Sequence, residues 1–569
     1  MAHTWKSIPA WLAGLATAVA LTSAPSVAGA ACGDVNKNGS VDVADALSLA
    51  GVIAAAGDCG VNKPDCDVLK DNTIDIQDLT NLVAKLAGLK TLFDSCTGPG
   101  PVVSCTDGAD PDTGKPLHKI AAGSILANQT WPDTCTIQIE GIVFVDTPVG
   151  QSTTVVTVKP GTVVKGKGSG TVNPAVLIFL PGSKIDAQGT PQKPIIFTSG
   201  QPVGSRSVGD WGGVLLNGKS TVNRPNCVNT AEGIPAAYGG CDASDSSGVM
   251  TYTRVEFSGI EFTPNNELNI LTLNGVGNQT LMHHIQANQG GDDCIEWFGG
   301  TVNLKYFVSS GCADDGFDYQ LGTTGSRQYG LQVQYGPVLQ TGKQSRGIEA
   351  DNSEFGFDDL PRSNPKFCNL TMIGAKDNDP NIGSEAGLFF RRGTAGTVAN
   401  AIVANYGLSC IRSADNTTTN FACTAGPALK TSDPFLLVEN TLCYNNGDGT
   451  TTQNSMMQAT AGACTATQVY GLWNTTKSVF PAAGGGTIVP NIPTTFATVT
   501  AGYPATLPNL IPSATTGFPP ATDCHAISDY FDTTNYIGAF DPAGGPGANW
   551  LDTGFGSNSF DRWISFDVN

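Results

Sequence analysis

The run Asn288–Gln320, NQGGDDCIEWFGGTVNLKYFVSSGCADDGFDYQ, carries one acidic phrase twice. Asp292-Asp293-x-x-Glu296 returns as Asp314-Asp315-x-x-Asp318, each acid 22 residues after its counterpart. Between the phrases lies the strand-like segment Thr301–Val308, and glycines bound the turns. A repeat of this length, with one strand and one Gly-bounded turn per period, is what a coil of a stacked β-solenoid needs. Successive coils of such a stack sit ~4.8 Å apart, so equal positions in adjacent periods become neighbours in space. That registration brings the six carboxylates to one patch, which must bind cations, stay strongly hydrated or hold protons at raised pKa.

The rest of the chain suits this architecture. Its 569 residues are too many for one compact core, but a solenoid escapes that limit because each coil packs only on its neighbours. Gly (69) and Pro (34) are frequent and charged residues make up only 14%, as in an all-β chain of many tight turns. β-rich runs fall at Ile137–Val145, Val155–Val164, Ala175–Leu180, Ile195–Thr198, Val214–Leu216, Met250–Phe257 and Ile270–Leu273. They continue at Thr301–Val308, Tyr329–Val333, Phe367–Ile373, Leu388–Phe390 and Val398–Val403. Residues 450–520 read as long loops, and the end from Asp523 as a cap on the last coil, because an open β edge invites association. A formal charge of −19 argues against nucleic acid or an anionic membrane as partner and agrees with cation binding.

Residues 1–30 read as a secretory signal peptide, with Lys6, an apolar core from Ile8 to Leu21 and Ala28-Gly29-Ala30 for cleavage. That core is too short to span a bilayer, and no later stretch qualifies. Cleavage leaves 16 cysteines, an even number that reads as disulfides in an exported protein. Close spacing suggests Cys105–Cys135, Cys227–Cys241, Cys294–Cys312, Cys410–Cys423 and Cys443–Cys464. There is no CxxC, HExxH, GxSxG or P-loop, which sets aside zinc proteases, elbow-type serine hydrolases and nucleotide enzymes. Four histidines follow the leader: His118, His283, His284 and His525, and the adjacent pair reads as structural.

Residues 31–90 form a duplicated module. In the first half Asp34, Asn36, Asn38, Asp42 and Asp45 occupy positions 1, 3, 5, 9 and 12 of a calcium loop, with Gly39 at position 6. In the second half Asp67, Asp71, Asp75 and Asp78 take positions 1, 5, 9 and 12, while Leu69 and Asn72 depart from the pattern. A helix stripe follows each loop, clearest at Leu79, Leu82, Val83 and Leu86. The module resembles a dockerin. The resemblance implies a calcium-dependent fold whose helices dock on a cohesin-bearing scaffold or surface protein. Residues 91–117 read as a Pro/Gly/Asp-rich linker.

The phrases VKPGTVVKGKGSG, AVLIFLPGSKIDAQGTPQKPIIFTSG and GDWGGVLLNGK resemble the opening coils of secreted bacterial right-handed parallel β-helix proteins of the pectin-lyase-like kind. The resemblance runs on through GIEADNS (347–353), LFFRRGTAG (388–396) and YIGAFDP (536–542), covering residues 118–569. It implies a mainly β fold, a right-handed parallel β-helix preceded by the small α-helical calcium module.

Three uses of the acidic repeat follow. Calcium shared between stacked turns would hold coils in register. Carbohydrate could bind on the flat face, with Trp297, Phe298, Tyr306, Phe317 or Tyr319 stacking on sugar rings, although alternate ones must face the core. A polysaccharide-degrading enzyme could use Asp292 or Asp293 with Asp314 or Asp315 as a hydrolase pair. As a lyase it could use calcium on those acids with Arg346, Arg391 or Arg392 as base. The expectation is an exported Ca2+-binding protein for polysaccharide binding or cell-surface assembly, with degradation as the alternative.

Overall fold

The computed structural model describes residues 100–569 except 169–173, 264–265, 335–342, 377–383, 416, 419–435, 460–464, 471–478, 483–509, 513–517, 519, 545–548, 552–559, 561 and 567–569. The leader, the calcium loops of 31–90, Cys423 and Cys464 lie outside the described residues.

The chain winds through three strand positions per turn, and the strands of the coils pair in parallel with their equivalents one turn on; the excursions Val228–Gly239 and Ile260–Leu268 form antiparallel hairpins. Gln129–Trp131, Val155–Val158 and Lys184–Gln188 open a first wall. The first half of Thr136–Val145, then Val163–Gly166 and Ile195–Ser199, opens a second. The second half of Thr136–Val145, Val176–Phe179 and Val214–Asn217 opens a third. The third wall continues through Leu271–Asn274, Ile295–Phe298, Phe317–Gln320, Ile348–Ala350, Ala386–Phe390, Ser409–Ser413 and Met457–Ala459. From Gly248 the first two walls merge into one long strand per coil: Gly248–Glu256, Leu281–Gly290, Leu304–Cys312, Ser326–Val333, Lys366–Ile373 and Gly396–Ala404. This is a parallel β-helix. The 22-residue period is one coil: Asn288 pairs with Ser310, and Glu296 with Asp318.

Side chains alternate across each strand, so every second residue enters the interior. On the third wall one inward column is apolar from end to end: Val143, Leu177, Val214, Leu271, Ile295, Phe317, Ile348, Leu388, Ile411 and Met457. Each of these buried side chains contributes roughly 1.5–3 kcal/mol relative to exposure. A shift of one residue would turn that column outward, so the register is strongly specified.

Where the first wall bends into the second, each long strand places one non-glycine residue in the left-handed region. These are Tyr252, His284, Tyr306, Tyr329, Asn369 and Asn400, with φ between 45° and 63°. Such a conformation costs about 1–2 kcal/mol per residue, and stacking offsets it. The rings of Tyr252, His284, Tyr306 and Tyr329 lie 4.2, 4.5 and 4.7 Å apart in sequence along the column. The histidine pair is therefore structural: His284 sits within the stack, its pKa pushed down to about 3 by burial and by His283.

Asn369 and Asn400 continue the corner, and their side chains hold the C-terminal segment. Asn400 donates from Nδ2 to the Thr522 carbonyl at 2.7 Å and accepts from the Thr522 amide at 2.9 Å. Asn369 donates to the Tyr536 carbonyl. Rather than closing the last coil, the described part of the segment after Asp523 runs along the outside of this corner. Trp550, Trp563, Ile564 and Phe566 pack there on Val308, Leu331 and Ile402. It reaches back to Gln286, which exchanges hydrogen bonds with Ser565, and to Arg254, which donates to the Arg562 carbonyl.

At the other end, residues 100–116 are tied into the first coils. Lys165 donates to Asp110 and Asp112 at 2.6 Å each, and Cys105 is bonded to Cys135. The expected Cys227–Cys241 and Cys294–Cys312 bonds are also present. Two expectations fail: Cys410 is bonded to Cys443, which excludes Cys410–Cys423 and Cys443–Cys464. Coil stacking, not closeness in sequence, brings these cysteines together. A further bond, Cys368–Cys524, fastens the C-terminal segment.

Replacing Asn400 by Leu strands the Thr522 amide and carbonyl and forces an unsuited residue into positive φ. A loss of about 3 kcal/mol is expected in denaturant unfolding, with Asn400→Gly less damaging. An unchanged midpoint for Asn400→Leu would remove the corner ladder from the account.

Candidate metal centre

The acidic phrases fall where the chain leaves the second wall and enters the third. Asp292 and Asp293 occupy the turn between Leu281–Gly290 and Ile295–Phe298, and Asp314 and Asp315 the equivalent turn one coil on. Backbone geometry locks the two turns together. The Asp315 amide donates to Asp293 Oδ1 at 2.7 Å, and the Arg346 amide to Asp315 Oδ1 at 2.5 Å. The buried Cys294–Cys312 bond joins the same turns covalently.

On the third wall the outward column changes character along the stack. It runs Phe144, Ile178, Leu215, Thr272, Glu296, Asp318, Glu349, Phe389, Arg412 and Gln458. The first coils are apolar there and are covered: Ile178 and Leu215 pack with Ile234, Ala236 and Tyr238 of the 228–239 hairpin segment. After Thr272, three successive positions are acids. The following two bring an aromatic ring and a guanidinium.

The carboxylates form three overlapping trios, within each of which the oxygens lie within 4.8 Å of one another. Asp292, Asp293 and Asp314 make the first, Asp293, Glu296 and Asp318 the second, and Asp315, Asp318 and Glu349 the third. Protein cations neutralise the outer two. Lys343 Nζ lies 2.5 Å from Asp292, 3.2 Å from Asp314 and 3.6 Å from Glu267. Arg346 pairs with Glu349 at 2.8 Å and reaches Asp315 at 3.6 Å, while Arg391 pairs with Glu349 and with Asp351. Asp293, Glu296 and Asp318 of the middle trio make no ion pair with Lys or Arg among the described residues, although Arg391 still attracts Asp318 from farther off. Glu296 accepts hydrogen bonds from the amides of Asn269 and Gln320, and Asp293 accepts the Asp315 amide. Asp318, only 7% exposed, keeps an oxygen with no donor at all.

Burial, followed by the neighbouring carboxylates, pushes all three middle acids well above the ordinary range. Burial also raises Asp292, Asp315 and Asp351 to about 7, against the opposing pull of Lys343, Arg346 and Arg392. Glu232, on the 228–239 hairpin segment, is raised to about 8 by burial and by Asp292 and Glu267. Lys343 is held charged, because the acids around it outweigh its burial.

The middle trio offers three oxygens, all within 4.8 Å of one another, that could hold a hard cation. Oxygens on opposite sides of a Ca2+ ion lie about 4.6–5.2 Å apart, twice the ~2.3–2.6 Å bond length, whereas ~2.0–2.1 Å to Mg2+ asks for a tighter cage. All four acids expected from the repeat, Asp292, Asp293, Asp314 and Asp315, are brought together, and Glu296 and Asp318 with them. Arg346, Arg391 and Arg392 also reach the cluster, but in ion pairs. Sequence reading missed Lys343, Glu349 and Asp351. The signal for the last two was present: Gly347-Ile348-Glu349-Ala350-Asp351 repeats the Gly–apolar–acid–apolar–polar order of Gly316–Gln320. The aromatics expected on a sugar face are not there. Trp297, Phe317 and Tyr319 point into the core, Phe298 lies under the hairpin segment, and Tyr306 belongs to the corner stack.

A family model described as a pectate-lyase-like β-helix domain matches residues 123–476, which takes in both acidic turns and every residue of the outward column from Phe144 to Gln458. The chain belongs to that family. No curated protein and no solved structure matches it. Membership in the pectate-lyase-like family fits a polysaccharide-related role. The disulfides fit an oxidising, extracytoplasmic compartment. Among the described residues no helix is long and apolar enough to cross a membrane.

The raised carboxylates set a pH dependence for protein freed of divalent ions. Unfolded carboxyls lose their protons near pH 4, whereas Asp292, Asp315 and Asp351 retain theirs until about 7. The native state therefore binds more protons in that window, and stability falls as pH rises from about 4 to 7 and goes on falling above it while Glu232 and the middle trio release theirs. His284, neutral in the fold down to about 3, contributes the opposite slope below about 6.5, but with one proton against the seven raised carboxyls of the cluster. Urea unfolding in chelator from pH 4.5 to 8 tests this. Stability that rises through the window contradicts it.

Proposed function

We propose that this chain is an exported polysaccharide-binding β-helix in which Asp293, Glu296 and Asp318 hold one calcium ion between adjacent coils. The observation that carries the reading is the missing ion pair: the three buried carboxylates of the middle trio contact no Lys or Arg, while the trios that share Asp293 and Asp318 with it are paired through other members to Lys343 and Arg346. Like charges this close in a buried site repel strongly unless protons or an ion intervene. A calcium ion supplies that charge and fastens one coil to the next. The calcium loops of 31–90, with Asp34, Asn36, Asn38, Asp42, Asp45, Asp67, Asp71, Asp75 and Asp78 as ligands, belong to the same proposal. So does attachment of that module to a cohesin-bearing surface protein.

Binding suits these acids better than turnover does. A hydrolytic pair must flank a glycosidic bond, with carboxyl groups roughly 5–5.5 Å apart in retaining and 6.5–9.5 Å apart in inverting enzymes. Asp292, Asp293 and Asp314 each bring one oxygen to within 4.8 Å of the others, and Lys343 spans Asp292 and Asp314, so this pair is already occupied by a protein cation. Arg346, Arg391 and Arg392, the bases a lyase would use, are committed to Glu349, Glu385 and Asp351.

Asp318→Asn tests the reading directly, because the amide keeps the shape and removes the charge. In chelator the variant is expected to melt about 2 °C or more above the wild type, since repulsion is relieved. With millimolar calcium the wild type is expected to gain stability in its β-helix transition and the variant to gain none. Neither protein should release reducing ends or unsaturated products from neutral or uronate-rich polysaccharides. A calcium increment that survives the substitution would displace the ion from this trio, and product lost on Asp314→Ala would establish an enzyme.

A further inference from the structure

The solenoid buries the aromatics of its acidic coils, yet it holds two others out in water on the loop that leaves the acid column. Phe355 and Phe357 are 58% and 39% exposed, and Leu360 of the same loop is 74% exposed. The loop is firmly built. Asn352 donates from Nδ2 to the carbonyls of Phe357 and Asp359 at 3.1 and 3.0 Å. Ser353 Oγ accepts from the amides of Phe355 and Gly356 and donates to Asp359. Arg362 clamps the Phe357 carbonyl to that of Gly393, at 2.6 and 2.5 Å. Between the two rings, a Cβ on Gly356 would stand 2.5 Å from Asp359 Oδ1, so any larger residue there would have to displace the Asp359 carboxylate from Ser353.

We propose that this loop, residues 353–362, is the saccharide-contacting element of the protein, and that its ligand is an uncharged glycan chain. The inference rests on the polysaccharide-binding reading and gives it a location and a ligand class. Three observations favour it. The rings are presented on a rigid loop, so no ordering cost is added on binding. Polar groups interleave with them: Glu354 (51% exposed) and Asp358 (78% side-chain exposure) can accept hydroxyl hydrogens, while Arg224, 3.7 Å over Phe355, covers one ring face and offers donors. Apolar faces beside hydroxyl-pairing groups match the two sides of a sugar ring, and the exposed carboxylates disfavour a uronate. Finally, the loop is continuous with the acid column, since Arg392 bridges Asp351 and Glu354. A stable protein interface needs on the order of 800 Å² per partner with an apolar centre. Three side chains among charges do not supply that.

The test uses the full-length chain in calcium, with affinity electrophoresis and pull-down on cellulose, xylan, mixed-linkage glucan and polygalacturonate. Wild type is expected to be retained by at least one neutral polymer. Phe355→Ala/Phe357→Ala is expected to bind at least tenfold more weakly with an unchanged melting temperature, and Phe355→Tyr/Phe357→Tyr to restore binding. Neutral-polymer binding equal in wild type and the alanine variant overturns the loop assignment and leaves polysaccharide binding standing. Retention on polygalacturonate alone overturns the ligand class. Wild type retained by no polymer overturns the binding reading itself. Self-association in sedimentation that the alanine variant abolishes, without any glycan binding, would make the patch a protein interface.

Discussion

Parallel stacking places equal positions of successive coils at the strand spacing, ~4.8 Å. That constraint is what turns a repeated acidic phrase into a buried column of like charge. Glu296 and Asp318 cannot move apart, because Ile295 and Trp297 on one strand, and Phe317 and Tyr319 on the next, are fixed in the core on either side of them. The apolar interior thus holds a charge arrangement that would otherwise fly apart. The remaining features of the centre compensate for it: backbone amides aimed at Asp293 and Asp315, a covalent tie from Cys294 to Cys312, and cations placed at both ends.

The third wall is graded along its length. Its early outward residues are apolar and hidden beneath the 228–239 hairpin segment, its middle ones are acids, and its later ones are Phe389 and Arg412. The guanidiniums of Arg346, Arg391 and Arg412 all gather over the Phe389 ring, at 5.0, 5.6 and 4.8 Å. These arginines are positioned by the aromatic ring and neutralise the acid column from one end, as Lys343 does from the other. The charge left uncompensated lies between them.

Much of this was legible in the sequence because a solenoid writes its geometry locally. The period-2 alternation located the strands, and an insertion-free coil kept the acids in register at 22 residues. What was not legible has physical causes. The next coil carries a longer excursion, so Glu349 falls 31 residues after Asp318 and escapes a search at constant period. Lys343 comes from that excursion, and no periodicity marks it. Cys410 meets Cys443 through coil stacking, which spacing along the chain does not reveal. For the aromatics near the acids, parity already sent alternate ones to the core: Trp297, Phe317 and Tyr319 alternate with Glu296 and Asp318, so they face inward when the acids face outward. Phe355 and Phe357, in an irregular loop, carried no periodic signal.

The most direct test of the central claim is a crystal structure of the calcium-soaked protein with anomalous scattering used to locate the ion. The account predicts one strong site in the acid column, bounded by Asp293, Glu296 and Asp318, with oxygen distances of about 2.3–2.6 Å and Lys343 still on Asp292 and Asp314. No anomalous peak there at millimolar calcium, with the three carboxylates sharing protons instead, would contradict it.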